Sequence, residues 1–293
     1  MSINILGNTK IYIACPANVA TGGPELLHQL AFHLINDLNI KAFMYYYDFD
    51  KSKSKTPVHP EYKFYNVPYV LEIPENEDVD KNILIVPEIL SGLILLPKYR
   101  NIRKGVWFLS VDNYYIGKMT KKDFFFQRIV NKFMKLIGRK PIFDYLSTRN
   151  LNKLAQKYDY TQDTLLKYSN FFISNSFRGL NWFSLLKPMY LLHDFNINKE
   201  FLEASQSVSS INKKNIVAYN PKKGLIFTKK IIKEDSKINF VPIINMPRKN
   251  VINLLIKAKV YIDFGNFPGP ERIPKEAAIL GCCVITGKRG SAA

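Results

Sequence analysis

Cysteine is scarce, with three in 293 residues. Cys15, Cys282 and Cys283 cannot build a disulfide framework, and their spacing matches no zinc site. No apolar run is long enough to cross a membrane as a helix. The longest, Ile83 to Pro97, has 15 residues and carries Glu88 inside it, whereas a span needs about 20. Acids are few: 24 Asp and Glu face 42 Lys and Arg, for a formal charge of +18. The N-terminus, MSINILGNTKIYIACPA, has no basic stretch before its apolar one, so a secretory leader is not expected. Apolar residues, in contrast, are plentiful at 47%, which excludes disorder as the overall state. The sequence reads as a reducing, cytoplasmic protein. Its length suggests two domains, and its charge suggests an anionic partner: nucleic acid, an anionic membrane or phosphate-bearing substrates.

Strand and helix patterns alternate along the chain. Lys10–Ala14 reads as a short apolar strand, and Pro24–Asn36 as a helix with Leu26, Leu27, Leu30, Leu34 and Leu38 at helical spacing. Ala42–Tyr47 completes a βαβ unit. Further strands are expected at Tyr69–Ile73, Ile83–Val86, Gly105–Val111 and, last in this half, Phe171–Ser174. Helices are expected at Ile89–Leu96 and Arg178–Leu186. Residues 204–214, ASQSVSSINKK, are Ser-rich and aperiodic, as in a linker. Strands at Asn215–Tyr219, Ile238–Ile243, Val260–Phe264 and Cys283–Thr286 then alternate with helices at Gly224–Ile232, Arg248–Ala258 and Arg272–Leu280. The expected fold class is α/β, with two Rossmann-like doubly wound domains, 1–203 and 215–293. The second stops without a closing helix and reads as incomplete at its C-terminus.

In open α/β sheets, ligands bind beyond the C-terminal ends of the strands, and four segments lie at such ends. Gly22 and Gly23, at a strand-to-helix turn, let backbone approach a ligand at a helix N-terminus, or meet a need for positive φ. Asn220-Pro221-Lys222-Lys223-Gly224 brings two lysines to a helix N-terminus, where the dipole repels them. A bound anion such as a diphosphate resolves that conflict, and a solvated pair of lysines is the alternative. Asp263 to Ala278 is a Gly- and Pro-rich loop running into a helix. There Arg272 and Glu276 share one face, as a phosphate partner and a ribose acceptor or as a plain i,i+4 pair. Ser110 to Tyr115 combines polar and aromatic groups suited to a sugar, or is an ordinary turn. His28 and His33, five apart, lack metal spacing and read as structural. His193-Asp194 reads as a surface or cap pair, and Cys282-Cys283 as buried, inert thiols.

The charge is concentrated in places. Residues 118–140 carry eight basic residues against one acid, Asp123. Phe125, Phe126, Ile129, Val130, Phe133, Leu136 and Ile137 recur there at helical spacing, with Arg128, Lys132 and Lys135 on the other face. A basic amphipathic helix of this kind suits an anionic membrane surface, or packs as an ordinary surface helix. No nucleic-acid-binding motif is visible, so nucleic acid is not an expected partner.

Taken together, these loops resemble the GT-B glycosyltransferases, in particular the family-4-like bacterial enzymes that build surface polysaccharides. The resemblance runs from Ile11 to Ala293 and is most specific in PGPERIPKEAAILGCCVITGKRGSA, Pro268 to Ala292. It implies sugar transfer from a nucleoside diphosphate sugar to a surface glycan (capsule, lipopolysaccharide or lipooligosaccharide). The acceptor is a glycan or lipid-linked, at the cytoplasmic face of the inner membrane, and no metal or other cofactor is implied. It also implies a donor site of Gly22, Gly23, Asn220, Lys222, Lys223, Gly269, Arg272 and Glu276, with Lys223 on the diphosphate, Glu276 on the ribose, and Gly22 and Gly23 lining the cleft. The family's first glutamate belongs eight residues before Glu276, where this chain has Pro268; the nearest acid is Glu271. Its histidine after the strand near Ser110 is also absent, leaving Asp112 to position a sugar or act as base, with Glu88 the second candidate catalytic carboxylate. These departures, with the early C-terminus, leave open an inactive nucleotide- or glycan-binding member of the fold.

Overall fold

The computed structural model describes residues 3–138, 148–193, 199–208, 212–234 and 237–292. The expectations for residues 139–140, 194, 209–211 and 293 lie outside these. The chain divides into two compact units, one of residues 1–145 and 149–195, the other of 146–148 and 196–293.

The first unit holds a parallel sheet of β1 (Lys10–Pro16), β2 (Lys41–Tyr47), β3 (Tyr69–Val70), β4 (Ile83–Pro87), β5 (Arg103–Phe108), β6 (Phe171–Ser174) and β7 (Met189–Leu191). Their order is β3-β2-β1-β4-β5-β6-β7. β1 is an interior strand, with Ile13 opposite Met44 of β2 and Ile85 of β4. Side chains alternate along it: Tyr12 and Ala14 enter one core, Ile11, Ile13 and Cys15 the other. Both faces are thus buried, as parallel sheets require. α1 (Gly22–Asn36) covers one face with Leu27, Leu30, Ala31 and Leu34, each leucine contributing roughly 1.5–3 kcal/mol by its burial. Leu38 lies beyond the helix and is exposed.

Several elements differ from the sequence reading for identifiable reasons. The helix expected at Ile89–Leu96 is the single turn α2 (Leu90–Leu93), followed by a separate 3-10 turn at Leu96–Lys98; Pro97, with no N–H, cannot extend the helical ladder. β5 stops at Phe108 rather than Val111. Ser110 instead caps α3 (Val111–Lys118), its Oγ accepting the Asn113 N–H at 3.1 Å, and the cap outweighs the apolar Leu109 and Val111. α4 (Lys121–Leu136) and α5 (Thr148–Lys157) follow, then α6 (Phe177–Trp182), shorter than expected. β6 is not the last strand: β7 pairs with it along Phe172–Ser174.

The second unit opens with α7 (Lys199–Ser205), whose Phe201 enters its core. β8 (Lys214–Tyr219), α8 (Leu225–Glu234), β9 (Asn239–Pro242), α9 (Arg248–Lys257), β10 (Ala258–Asp263), α10 (Arg272–Ile279) and β11 (Cys283–Thr286) follow. The sheet is parallel, in the order β11-β10-β8-β9. The Ser-rich stretch 204–214 therefore begins in α7 and ends in β8. Within it, Lys213 Nζ donates to the carbonyls of Leu255, Ile256, Ala258 and Leu280 at 2.7–3.1 Å. Leu255 and Ile256 lie in the last turn of α9, and Leu280 is the C-cap of α10. One ammonium thus ties together the negative ends of two helix dipoles.

Candidate functional site

In the second sheet, winding reverses at β8 and β10; in the first, at β1 and β4. Ligand sites of open α/β sheets lie beyond such strand pairs.

Beyond β8 and β10, two loops interlock. Gly224 has φ +61°, and a Cβ there would lie 2.4 Å from the Phe264 carbonyl carbon. A Cβ on Gly265 would lie 2.2 Å from that of Lys223, so both positions exclude any side chain. Buried Asp263 fastens the pair: its carboxylate accepts from Asn220 Nδ2 at 3.1 Å and from the Gly265 N–H at 2.9 Å. Asn220 Oδ1 in turn accepts the Lys222 N–H at 3.0 Å. The loop after β11 closes onto the same place, the Ser291 N–H donating to the Phe267 carbonyl at 2.7 Å.

This framework holds several charges. Lys223 Nζ is paired with Glu271 and lies 5.9 Å from the centre of the Phe267 ring. Glu271 is the N-cap residue of α10 yet makes no side-chain cap there. Arg272 Nε contacts Glu276 Oε1 at 3.1 Å, with the guanidinium exposed and the carboxylate buried. Burial raises the Glu276 pKa, and the Arg272 and Arg248 charges oppose that rise. Burial, with Asp263, Glu271 and Glu276 nearby, pushes the Tyr261 hydroxyl far up, so it stays a donor, to Asp263 at 3.3 Å. Lys222 is exposed, and Gly269 is half-buried in the loop into α10. The arrangement joins two cations and a helix start, which suit an anion, to a buried carboxylate held by Arg272.

The strand ends of the first unit are differently built. Glu88, after β4, is 2% exposed and accepts the Leu109 N–H at 3.1 Å; burial pushes its pKa up to about 7. Asp112, 1% exposed, accepts from Arg178 Nη2 at 2.7 Å. The segment read as either a sugar-binding site or an ordinary turn is the capped start of α3. Tyr114 and Tyr115 are buried, the Tyr114 hydroxyl donating to Asp163 at 2.7 Å and that of Tyr115 accepting from Trp182 Nε1 at 2.8 Å, so neither ring offers a face to a sugar. Gly22 and Gly23 open α1 without positive φ. Gly22 faces open space and a Cβ on Gly23 would only touch Leu109, so the need for positive φ is corrected. Thr21 supplies no side-chain cap, and its carbonyl accepts from the Tyr62 hydroxyl at 3.0 Å. His28 is buried between the Pro24 carbonyl and the Tyr46 hydroxyl.

α4 carries the basic amphipathic pattern in an unusual way. Phe125 and Leu136 are 68% and 77% exposed, and Phe126, Ile129 and Phe133 are exposed as well. Arg128 and Lys132 are exposed; the Lys135 side chain lies outside the described set. No described helix is long and apolar enough to cross a membrane.

Sequence reasoning named Lys223, Arg272 and Glu276 but gave no role to Asp263, Phe267 or Arg178. An acid ending a buried strand and followed by Phe-Gly was a readable signal for Asp263. The Lys223–Glu271 and Asp112–Arg178 pairs join residues 48 and 66 positions apart, and no local pattern announces them.

The chain matches no protein-family model and no curated protein. Among solved structures it is similar to sucrose-phosphate synthase from Thermosynechococcus elongatus, with a TM-score of 0.53 at 10% identity over 97% of this chain and 82% of that one. It is also similar to the catalytic domain of starch synthase IV from Arabidopsis thaliana bound to ADP and acarbose. There the TM-score is 0.51 at 10% identity, over 98% of this chain and 84% of that one. Both are GT-B glycosyltransferases, and the fold of this chain is accordingly α/β with Rossmann-like domains of the GT-B type.

Proposed function

We propose that the chain is a glycosyltransferase that moves a sugar from a nucleoside diphosphate sugar to a growing surface glycan of the capsule, lipopolysaccharide or lipooligosaccharide kind. One observation carries the reading. Lys223, Arg272 and Glu276 share the loops and helix start at the reversal point of a parallel sheet, within a GT-B fold. In this reading Lys223 and Lys222 meet the diphosphate, with Arg272 and the α10 N-terminus adding positive potential, and Glu276 accepts the ribose hydroxyls. Asn220 and Gly269 shape the loops. As the glycosidic bond breaks, the leaving diphosphate gains charge, and these cations stabilise it, so the mechanism calls on no metal. Glu88 and Asp112 act through the fold: Glu88 sets the turn after β5, and Asp112 orients Arg178.

A thermal-shift panel of nucleotides and nucleotide sugars tests this reading. A specific ligand at one hundred times its Kd stabilises the folded protein by about 2.7 kcal/mol. A hit among nucleoside diphosphates or their sugars is expected, and a flat panel refutes the reading.

The exposed apolar stripe of α4 beside Arg128 and Lys132 supports a peripheral seat on an anionic membrane, at the cytoplasmic face of the inner membrane, where a lipid-linked acceptor is confined. Flotation with phosphatidylglycerol vesicles should be lost when Arg128, Lys132 and Lys135 are all changed to Glu; unchanged flotation removes the membrane from the account.

A second reading, an inactive binding member of the fold, draws on Pro268 in place of an acid and on the engagement of Glu271 with Lys223. Transfer or donor hydrolysis by the purified protein decides against it.

A further inference from the structure

We infer that Glu271 is a built-in competitor of the donor diphosphate, its carboxylate occupying the cation that the diphosphate must take. The inference rests on the assignment of Lys223 to the diphosphate.

Two lysines ahead of a helix start call for an anion, and in this structure Glu271 is the anion against Lys223. The base of the lysine side chain is fixed in place. Gly265 packs against its Cβ, Gly224 against the Phe264 carbonyl, and the Phe267 ring lies beside its ammonium. The acid, in contrast, is placed where a different partner would serve the fold better. As N-cap of α10, a glutamate gains by lying near the helix N–H groups, yet this one leaves α10 without a side-chain cap. The pair is reachable from solvent, the two side chains being 31% and 29% exposed. An ion pair of that exposure is weak, which is what an exchangeable contact requires. A phosphate, with more charge and several acceptor oxygens, displaces the carboxylate from Lys223.

The exchange makes Glu271 a specificity-determining residue. A ligand needs a dense negative charge to open the contact, so a nucleoside or monoanion does not engage Lys223 while a diphosphate does. It also accounts for a lysine–acid pair exposed at the site without serving the core.

Calorimetric titration with inorganic pyrophosphate, UDP and ADP tests this on the whole chain. Glu271→Gln should bind pyrophosphate, and whichever nucleotide binds, about fivefold more tightly than the unchanged protein, the worth of a partly exposed ion pair. Uridine and adenosine affinities should not move. Lys223→Met should weaken both anions by about tenfold or more, the effect of losing a charge-assisted contact. If Glu271→Gln binds these anions equally or less tightly while Lys223→Met still weakens them, competition is overturned and the diphosphate assignment stands. If Lys223→Met binds as the unchanged protein does, the assignment itself fails and the competition with it. Binding by Glu271→Gln alone supports the inference; binding by neither protein overturns both.

Discussion

The two sheets end in loops that carry charge in opposite ways. Beyond the first, Glu88 and Asp112 are almost wholly buried, one bonded to the turn after β5 and the other to Arg178. Beyond the second, Lys223, Glu271 and Arg272 stay partly or largely exposed, on loops held together by two glycines and a buried aspartate. Glu88 and Asp112 are consumed by the fold, whereas Glu276, the one buried acid among the expected donor residues, is held by an Arg272 that is itself exposed. Charge that the fold only positions remains available. The first set therefore reads out as stability and the second as binding.

That contrast can be broken most forcefully at Asp112. Asp112→Ala leaves the half-buried Arg178 without the carboxylate it now holds, and removing one partner of a buried pair costs about 3–5 kcal/mol. Urea unfolding measures this. A loss under about 1 kcal/mol, joined to a large fall in turnover, would move Asp112 to the ligand side of the comparison.

Buried titrating groups give the next effect, and its sign can be worked out. The folded pKa of Glu88, about 7, exceeds its usual value. Its contribution is fully present below the unfolded pKa near 4.5 and is lost as pH rises through 7. His28 behaves oppositely. Burial lowers its pKa to about 4, so its contribution is present above the unfolded value near 6.5 and is lost as pH falls toward 4. Each amounts to about 3 kcal/mol. Glu88→Gln should therefore raise stability at pH 8 relative to pH 4.5, flattening the alkaline limb of the pH–stability curve. An unchanged limb means that Glu88 is not the group responsible.

Gly224→Ala sharpens the comparison from the other side. A side chain at φ +61° beside the Phe264 carbonyl costs about 1–3 kcal/mol and pushes the two loops apart. Donor affinity should fall together with Tm; a full Tm with lost affinity would place the glycine against the ligand instead of the loop. The smallest stability effect belongs to Lys223→Ala, at most about 1 kcal/mol, because its ion pair is partly exposed.

Much of the fold was readable because parallel strands are short apolar runs between turn signals. Phe171–Ser174 and Cys283–Thr286 lie where the pattern puts them. β7 was hidden because three half-buried residues at a sheet edge carry no distinctive run. The start of α3 was hidden because Leu109 and Val111 extend a strand pattern past a serine that is in fact a cap. Lys213 was read as linker, since its four carbonyl partners lie more than 40 residues away. In the site, residue types at helix starts pointed to Lys223 and Glu276. What those residues contact depends on the glycine-tight meeting of two loops, which sequence spacing does not express.

The most direct test sets the two regions against each other in one measurement. Calorimetry should compare the affinity of the best-binding nucleoside diphosphate for Lys223→Ala and for Asp112→Asn, each at a temperature where it is folded. Lys223→Ala should lose at least tenfold in affinity, and Asp112→Asn should bind as the unchanged protein does. Equal affinities for Lys223→Ala and the unchanged protein, or a comparable loss in both variants, would contradict this contrast.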